Sequence, residues 1–408
     1  MPMAGAPVLF NALGPLPRPP AAGAPQVPPR VDVAVVGGGV VGLSVGWHLA
    51  RRGLAVAVFD AASAGGGTSS AATGMLAAEA EHEPGGDPLL ELCRESLALW
   101  PSFRDALEAD AGASIDYWEK GTLIVAVGRD EVDRLRARHG LQVRAGLDAR
   151  WMGASAVLDL EPGLRPNVGG GIFCPGDHQV DPRLTVAALR AAFLARGGLL
   201  VEAAAADRLD MSGGAVTGVV VGGQLCRAGT VVIASGAAAA SGNLLPDGLR
   251  LPLRPLKGQS MALRARPLFG RAQPLPIDHV VWTAEVHIAP KSDGRMIVGA
   301  TMEEAGFEAS VTAGGLYALL EGVRRVLPGV EEMAVEGVWA GFRPTTEDDA
   351  PALGACAVPG LAFAAGHHRN GYLLAPVTAQ AIEALVVDGR VAGAAAGFGI
   401  GRFGKGDA

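Results

Sequence analysis

From Val31 onward, short apolar runs alternate with glycine-marked turns. Val33 to Val36 is an unbroken apolar run rich in β-branched valine, as expected of a strand buried on both faces in a parallel sheet. Gly37, Gly39 and Gly42 follow, then apolar residues that predict a helix through Arg52, with Gly53 at its C-cap. Ala55 to Phe59 is a second apolar strand, ending at Asp60. Further on, "DYWEKGTLIVAV" (Asp116 to Val127) and the polar stretch Asp130 to Arg138 predict a strand and a helix. "VDPRLTVAALRAAFLARGG" predicts a helix leading to a strand at Leu199. Thr230 to Ala234 is a buried strand running into Ser235-Gly236, either a return to a cofactor or an ordinary strand-to-helix turn. Strands at Gln259 to Arg264, Val286 to Ala289 and Met296 to Gly299 alternate only partly, consistent with a sheet whose one face covers a site. Leu361 to Ala365 predicts a strand, Gly366 to Gly371 its turn, and Val377 to Val387 a helix. The fold class is α/β.

The first turn carries specific chemistry. Gly37 permits the tight turn, Gly39 lets a pyrophosphate approach the backbone, and Gly42 lets helix and strand pack closely. The helix start offers free N–H groups and partial positive charge to phosphates, and Asp60 stands where ribose hydroxyls need an acceptor. Strand, helix and acid together make this a dinucleotide site; the alternative is a glycine-rich turn in another α/β fold. The segment Ala61 to Glu79, a Gly/Ser/Thr loop entering a helix of small residues, favours FAD over a nicotinamide. Thr68 and Ser69 can bond phosphate and ribitol oxygens, and Gly74 lets a flat ring come close.

Composition narrows the partners. The 408 residues, as a soft prior, suggest two or three domains, and 49% apolar residues supply a large core. A net charge of −7 without a Lys/Arg block argues against nucleic acid. Mean hydropathy is +0.29, yet the longest apolar stretch, Val33 to Leu49, contains the glycine turn and His48, so no membrane span is expected. Four scattered cysteines suggest free thiols in a reducing cytoplasm. Residues 1–30, rich in Pro and Ala, read as a disordered extension rather than a signal peptide. No metal is expected: His367 and His368 are adjacent and cannot chelate like histidines four apart on a helix.

"GGGTSSAATGMLAAEAE" resembles the start of the glycine oxidases, a thiamine-pathway group in the D-amino acid oxidase family of FAD-dependent oxidoreductases. The resemblance continues through "PLKGQSMAL", "GRMIVGATME", "WAGFRPTTEDDAPALG" and "AAGHHRNGYLLAPVTA", from Val31 to about Gly389. It implies a Rossmann-like FAD-binding domain (31–105, 170–250 and 335–395) with an inserted α+β substrate domain on a mixed or antiparallel sheet (106–169 and 251–334), and a tail at 396–408. Beyond the motif residues it implies cofactor contacts at Val40, Val41, Ala61, Thr73, Met75 and Ala206. His367, His368, Asn370, Gly371, Tyr372 and Leu373 complete that set. The FAD is expected to be held non-covalently. The last turn becomes a flavin cradle in which the histidine side chains do little, Gly371 allows close backbone approach, and Pro376 suits a first helical turn.

Flavin oxidation of an amine asks little acid–base machinery of the protein. The substrate carboxylate needs a paired cation, and arginine matches it with two prongs. Arg343 is the first candidate; the competing role is an ion pair with Glu347, Asp348 or Asp349. Arg369 is the second, against a cap or surface role. His287 stands where glycine oxidases often carry a tyrosine, Met302 matches a substrate-side methionine, and Trp282 an aromatic wall. The histidine puts substrate size and glycine preference in doubt. Lys257 is given no role. The expected activity is oxidative deamination of glycine, sarcosine or a small D-amino acid. Hydride would pass to flavin N5, giving an imine, and O2 would be reduced to H2O2. The imine could feed thiamine thiazole synthesis, and a homo-oligomer is expected. Two competitors stand beside it: a dehydrogenase passing electrons to a quinone or partner protein, and a non-catalytic dinucleotide sensor or assembly subunit.

Overall fold

Arg30–Val36 pairs in parallel with Val56–Phe59 on one side and Gln224–Ile233 on the other. Val33, Val35, Val58 and Ile233 are fully buried, which is why these runs carry no polar interruption. Leu199–Val201 extends the sheet beyond Val56–Phe59, and Leu361–Ala365 joins the C-terminal half of Gln224–Ile233, both in parallel. The antiparallel pair Ala206–Ser212 and Ala215–Val221 flanks the N-terminal half of Gln224–Ile233. Helices Val40–Arg51, Pro182–Ala195 and Ala375–Asp388 pack together on one face, burying Trp47, Phe193 and Ile382. The computed structural model describes residues 10–11, 26–82, 87–241, 244–267 and 273–403.

Among the described residues the second sheet has nine strands, in the order Phe10–Asn11, Ala334–Thr346, Leu253–Arg264, Arg295–Gly299, His287–Pro290, Val280–Trp282, Thr122–Val127, Val168–Cys174 and Arg150–Gly153. Its neighbours are antiparallel, except that Val280–Trp282 runs parallel to Thr122–Val127. Four segments differ from expectation. Val168–Cys174 and Ala334–Thr346, predicted to belong with the dinucleotide unit, are strands of this second sheet. Phe10–Asn11, within the predicted disordered extension, pairs with Val338 and Gly337, because Ala334–Thr346 would otherwise present an open edge; residues 1–9 and 12–25 lie outside the described residues. The predicted tail is packed through Phe403: Phe398 and Ile400 are buried and Arg402 pairs with Asp348 at 2.7 Å.

The two sheets are tied at the start of helix Pro182–Ala195. Asp181 caps it by accepting from the N–H groups of Arg183 and Leu184. Arg295 of the second sheet donates to the other Asp181 oxygen at 2.6 Å, and the buried Lys291 donates to Val180 O and Gln179 Oε1 at 2.7 and 2.8 Å. This junction fixes the second sheet over the carboxyl ends of the parallel strands, where open α/β sheets bind ligands. No single helix among the described residues is long and apolar enough to cross a membrane.

Candidate active site

A cavity of about 760 Å³ runs along those strand ends. Gly37, Asp60, Ser235 and His367 all line it, each just past a parallel strand. Ser235-Gly236 lines this cavity, as a return of the chain to a cofactor would require. Gly37 has φ +111, and a Cβ there would lie 2.3 Å from Ala234 O. The helix Val40–Arg51 starts at Gly39 with no side-chain cap and no acid in its first turn, so its positive end is left for an anion. Val40 N donates to Ser69 Oγ at 2.9 Å, which leaves the Ser69 hydroxyl proton available. The two Asp60 oxygens accept from Gly38 N and Ala62 N, each at 2.8 Å. Burial raises its carboxyl above the usual value, opposed by those two bonds. An ionised carboxylate has about four acceptor positions, so capacity for hydroxyl donors remains.

The loop after Asp60 differs from its predicted form. Instead of entering a longer helix it makes one turn, Thr68–Ala71, and then a strand, Met75–Leu76, paired with His178–Gln179. Gly74 breaks the helical path with φ +85; a Cβ there would meet Val180 O at 2.1 Å. Thr68 lines the cavity, and its hydroxyl donates to Phe342 O at 2.8 Å and accepts from Phe342 N at 3.3 Å. These two bonds fasten the loop to Ala334–Thr346. Trp339 Nε1 donates to Ala71 O at 2.9 Å from the same strand. Tyr372 Oη lies 2.8 Å from Ser69 O and 2.9 Å from Pro182 O, closing the loop from the other side.

Val40, Val41, Ala61, Thr73, Met75, Ala206, His368 and Gly371 line the cavity; Gly42, Asn370 and Leu373 do not. A Cβ on Gly42 would fall 1.9 Å from Gly37 O, so its role is close packing, as its spacing implied. Asn370 is buried and its carbonyl accepts from Leu374 N at 2.8 Å. The carbonyl of Leu373 accepts from Ser96 Oγ and Trp100 Nε1. These two hold the turn rather than a ligand. His367 Nε2 lies 2.9 Å from Thr378 Oγ1, pinning the turn to the helix that follows.

Arg343, Arg369, His287, Met302 and Trp282 converge on the same cavity. Arg343 sits on Ala334–Thr346 opposite Leu256, its guanidinium over Gly258, where a Cβ would lie 2.6 Å from Nη1. Its hydrogen bond is to Thr301 O at 3.2 Å, and among the described residues it makes no ion pair. The three acids that could have claimed it point elsewhere: Glu347 pairs with Arg250, Asp348 pairs with Arg402, and Asp349 lies 3.7 Å from His368 Nδ1. Arg369 instead pairs through Nε with Glu81 Oε2 at 2.7 Å and donates to Glu81 O. Burial raises the Glu81 carboxyl, while Arg369, Arg343 and Arg138 pull it down. The Glu81 segment is fixed from behind, where Asp177 accepts from Glu79 N and Ala80 N and Arg138 donates to Ala80 O. His287 pairs with Trp282 across adjacent strands, and Met302 is largely exposed at the cavity's edge.

Residues 32–385 match the model of the DAO family, described as FAD dependent oxidoreductase. The chain belongs to this family. It is 37% identical to glycine oxidase of Geobacillus kaustophilus over 88% of this chain and 93% of that protein. It is also 35% identical to the bifunctional protein ThiO/ThiG of a Nostoc species, spanning 88% of this chain and about half, 53%, of that longer protein. The crystal structure of the Geobacillus kaustophilus glycine oxidase superposes with a TM-score of 0.84, covering 92% of this chain and 99% of that one at 35% identity.

The cavity fits the family's cofactor. The uncapped helix start, the glycine cradle at Gly37 and Gly39 and the remaining acceptor capacity of Asp60 suit a dinucleotide, and Gly371, where an added Cβ would have no neighbour closer than 4.0 Å, leaves room for a ring. The family is FAD dependent, and the four cysteines are free thiols outside the cavity lining. Glu81 is the residue sequence reasoning missed. Its one signal was a carboxylate within the resemblance, just past the glycine loop, in a run of several acids.

Three cavity histidines predict acid sensitivity. His287, His367 and His368 are each pushed down to about 3, chiefly by burial, with Arg343 adding to the effect on His287. In the unfolded chain they titrate near 6.5. Below that value the unfolded state binds more protons, so stability present above it is lost as pH falls toward 3. Each histidine contributes up to about 1.4 kcal/mol per pH unit in that window. Melting temperature is expected to drop between pH 7 and about pH 5, and less steeply in His367→Asn; equal slopes by calorimetry would contradict this.

Proposed function

We propose that this enzyme oxidatively deaminates glycine or a similarly small amine-bearing carboxylate, passes the electrons to O2, and acts in the cytoplasm as a homo-oligomer. The carrying observation is Arg343: a buried guanidinium facing the cavity, with no carboxylate within ion-pair distance among the described residues. A cation left unpaired in a buried site costs several kcal/mol unless a ligand pairs with it. A carboxylate is the planar anion its fork fits. His287, neutral at working pH, adds a hydrogen bond to that ligand without adding charge. Glu81 holds Arg369, so the site presents one open cation rather than two, which suits a monocarboxylate. Trp282, Phe307 and Phe342 narrow the space beside it, favouring a small α-substituent.

FAD, when bound, supplies the two-electron acceptor. The chain's part is to hold the α-carbon in place, keep water out and favour the neutral amine. Loss of the α-hydrogen with its electron pair, and of the amine proton, leaves an imine that water converts to a 2-oxo acid and ammonia. The relatives named ThiO/ThiG support a thiamine-pathway use of that imine. The two sheets support a division into FAD and substrate domains at revised boundaries.

The test is anaerobic flavin bleaching with glycine, sarcosine and D- and L-amino acids, followed by air. Bleaching by glycine or sarcosine and colour recovery within seconds are expected. Absence of bleaching by any amine would end the proposal, and a reduced flavin stable in air would assign the electrons to another acceptor. Arg369→Met leaves the Glu81 carboxylate unpaired beside Arg343, where it competes with substrate. KM for the best substrate is expected to rise about tenfold with a smaller change in kcat. Adding Glu81→Gln should restore much of it; an unchanged KM in the single variant would remove Arg369 from the site.

A further inference from the structure

Lys257 was given no role by sequence, yet it is 1% exposed in mid-strand, where an apolar residue would pack without cost. Its ammonium lies 3.3 Å from Glu303 Oε2, and the two residues also exchange backbone hydrogen bonds of 3.0 and 2.9 Å. Glu303 Oε1 accepts from Gln259 Nε2 at 2.7 Å and from the Thr301 hydroxyl. Thr301 Oγ1 in turn accepts from Gln259 N at 2.9 Å. Thr301 is the residue whose carbonyl holds Arg343. Gln259 is locked as well, its side chain donating to Thr312 Oγ1 at 3.0 Å and accepting from Thr312 N at 2.9 Å. Between Lys257 and Gln259 lies Gly258, the floor beneath the Arg343 guanidinium.

We infer that Lys257 and Glu303 are positioning residues for substrate binding: their ion pair, buried on the lysine side, orients Thr301 so that its carbonyl aims Arg343 at the substrate carboxylate. The inference rests on the proposed role of Arg343. Two physical consequences join in it. Geometry comes first: the chain Lys257, Glu303, Thr301 and Arg343 is continuous through hydrogen bonds and one ion pair, so a shift at Glu303 reaches the guanidinium. Charge is the second: Lys257 balances Glu303, which would otherwise be an uncompensated anion two residues from the arginine's carbonyl and would draw on its charge. Burial raises the Glu303 carboxyl, but hydrogen bonds from Thr301, Gln259 and Lys257 outweigh it and keep the group ionised.

The experiment uses FAD-loaded Lys257→Met, Glu303→Gln and the double variant. Acetate, an inert carboxylate, is titrated by its effect on the flavin spectrum, and kcat and KM are measured separately. Each single variant is expected to weaken acetate about tenfold and raise KM in parallel, with kcat changed far less. The double variant, again charge-balanced and with an amide oxygen for Thr301, is expected to recover to within about threefold of the parent. A merely structural pair would lower the melting temperature without this split or recovery. Unchanged acetate binding in both singles overturns the inference, and so does a double variant no better than either. Should the singles not retain flavin, Glu303→Asp keeps the charge while withdrawing it from Thr301; the same loss is expected, and parent-like binding overturns the inference. Arg343→Lys is the control. If it too leaves acetate binding unchanged, the Arg343 role itself fails; if it alone weakens binding, only the positioning role does.

Discussion

Arg343→Met is expected to lower kcat/KM for the best substrate by about two to three orders of magnitude, most of it in KM, while flavin content stays at the parent level. The size follows from what is lost. A two-pronged, charge-assisted contact to a desolvated carboxylate is worth about 3–4 kcal/mol when one partner is removed, and each 1.4 kcal/mol is a factor of ten. The fall belongs in KM because the carboxylate is bound before reaction and stays bound through it, so ground and transition states lose alike. Flavin should be retained because the contacts of Arg343 are to Thr301 O and Gly258, not to the dinucleotide turn. Arg343→Lys keeps a charge but offers a point instead of a fork, and should recover about one order of magnitude. Anaerobic rapid mixing, which reads flavin reduction against substrate concentration, checks both variants. A parent-like saturation curve for Arg343→Met would mean the carboxylate binds elsewhere.

What could be read from sequence followed physical locality. The glycine turn was legible because steric demands on three glycines, a strand before and a helix after all act within about thirty residues. Arg343 was legible as a candidate, but choosing between substrate and a neighbouring acid required knowing where Glu347, Asp348 and Asp349 point. Thr68 was legible as a cavity residue, but not that its hydroxyl donates to Phe342 O, 274 residues away. Glu81 and Lys257 were opaque for the same reason: their partners, Arg369 and Glu303, are distant in sequence and bear no spacing signature. Strand membership failed at Val168–Cys174 and Ala334–Thr346 because apolar runs reveal burial, not which sheet buries them.

The dinucleotide turn allows a sharper experiment, since its glycines answer to different obstacles. At Gly42 an added Cβ would sit 1.9 Å from Gly37 O, a backbone atom with no rotamer to yield. Gly42→Ala must therefore open the turn, shifting the helix start from the strand and from its ligand together. It is expected to lose flavin on gel filtration and to melt several degrees lower, overpacking of this kind costing about 1–3 kcal/mol. At Gly39 the nearest obstacle is Ser69 Oγ at 3.1 Å, and the backbone is extended, with φ −74 and ψ −177. Alanine is tolerated there in the empty protein, but its methyl occupies space a pyrophosphate needs. Gly39→Ala is thus expected to fold with a near-parent melting temperature without cofactor and to bind FAD at least about a hundredfold more weakly. Scanning calorimetry without cofactor separates fold from ligand, and FAD titration by fluorescence measures the second. A Gly39→Ala protein that binds FAD like the parent would show that the phosphates do not approach this turn, and the cofactor assignment of the whole cavity would have to be redrawn from Asp60 outward.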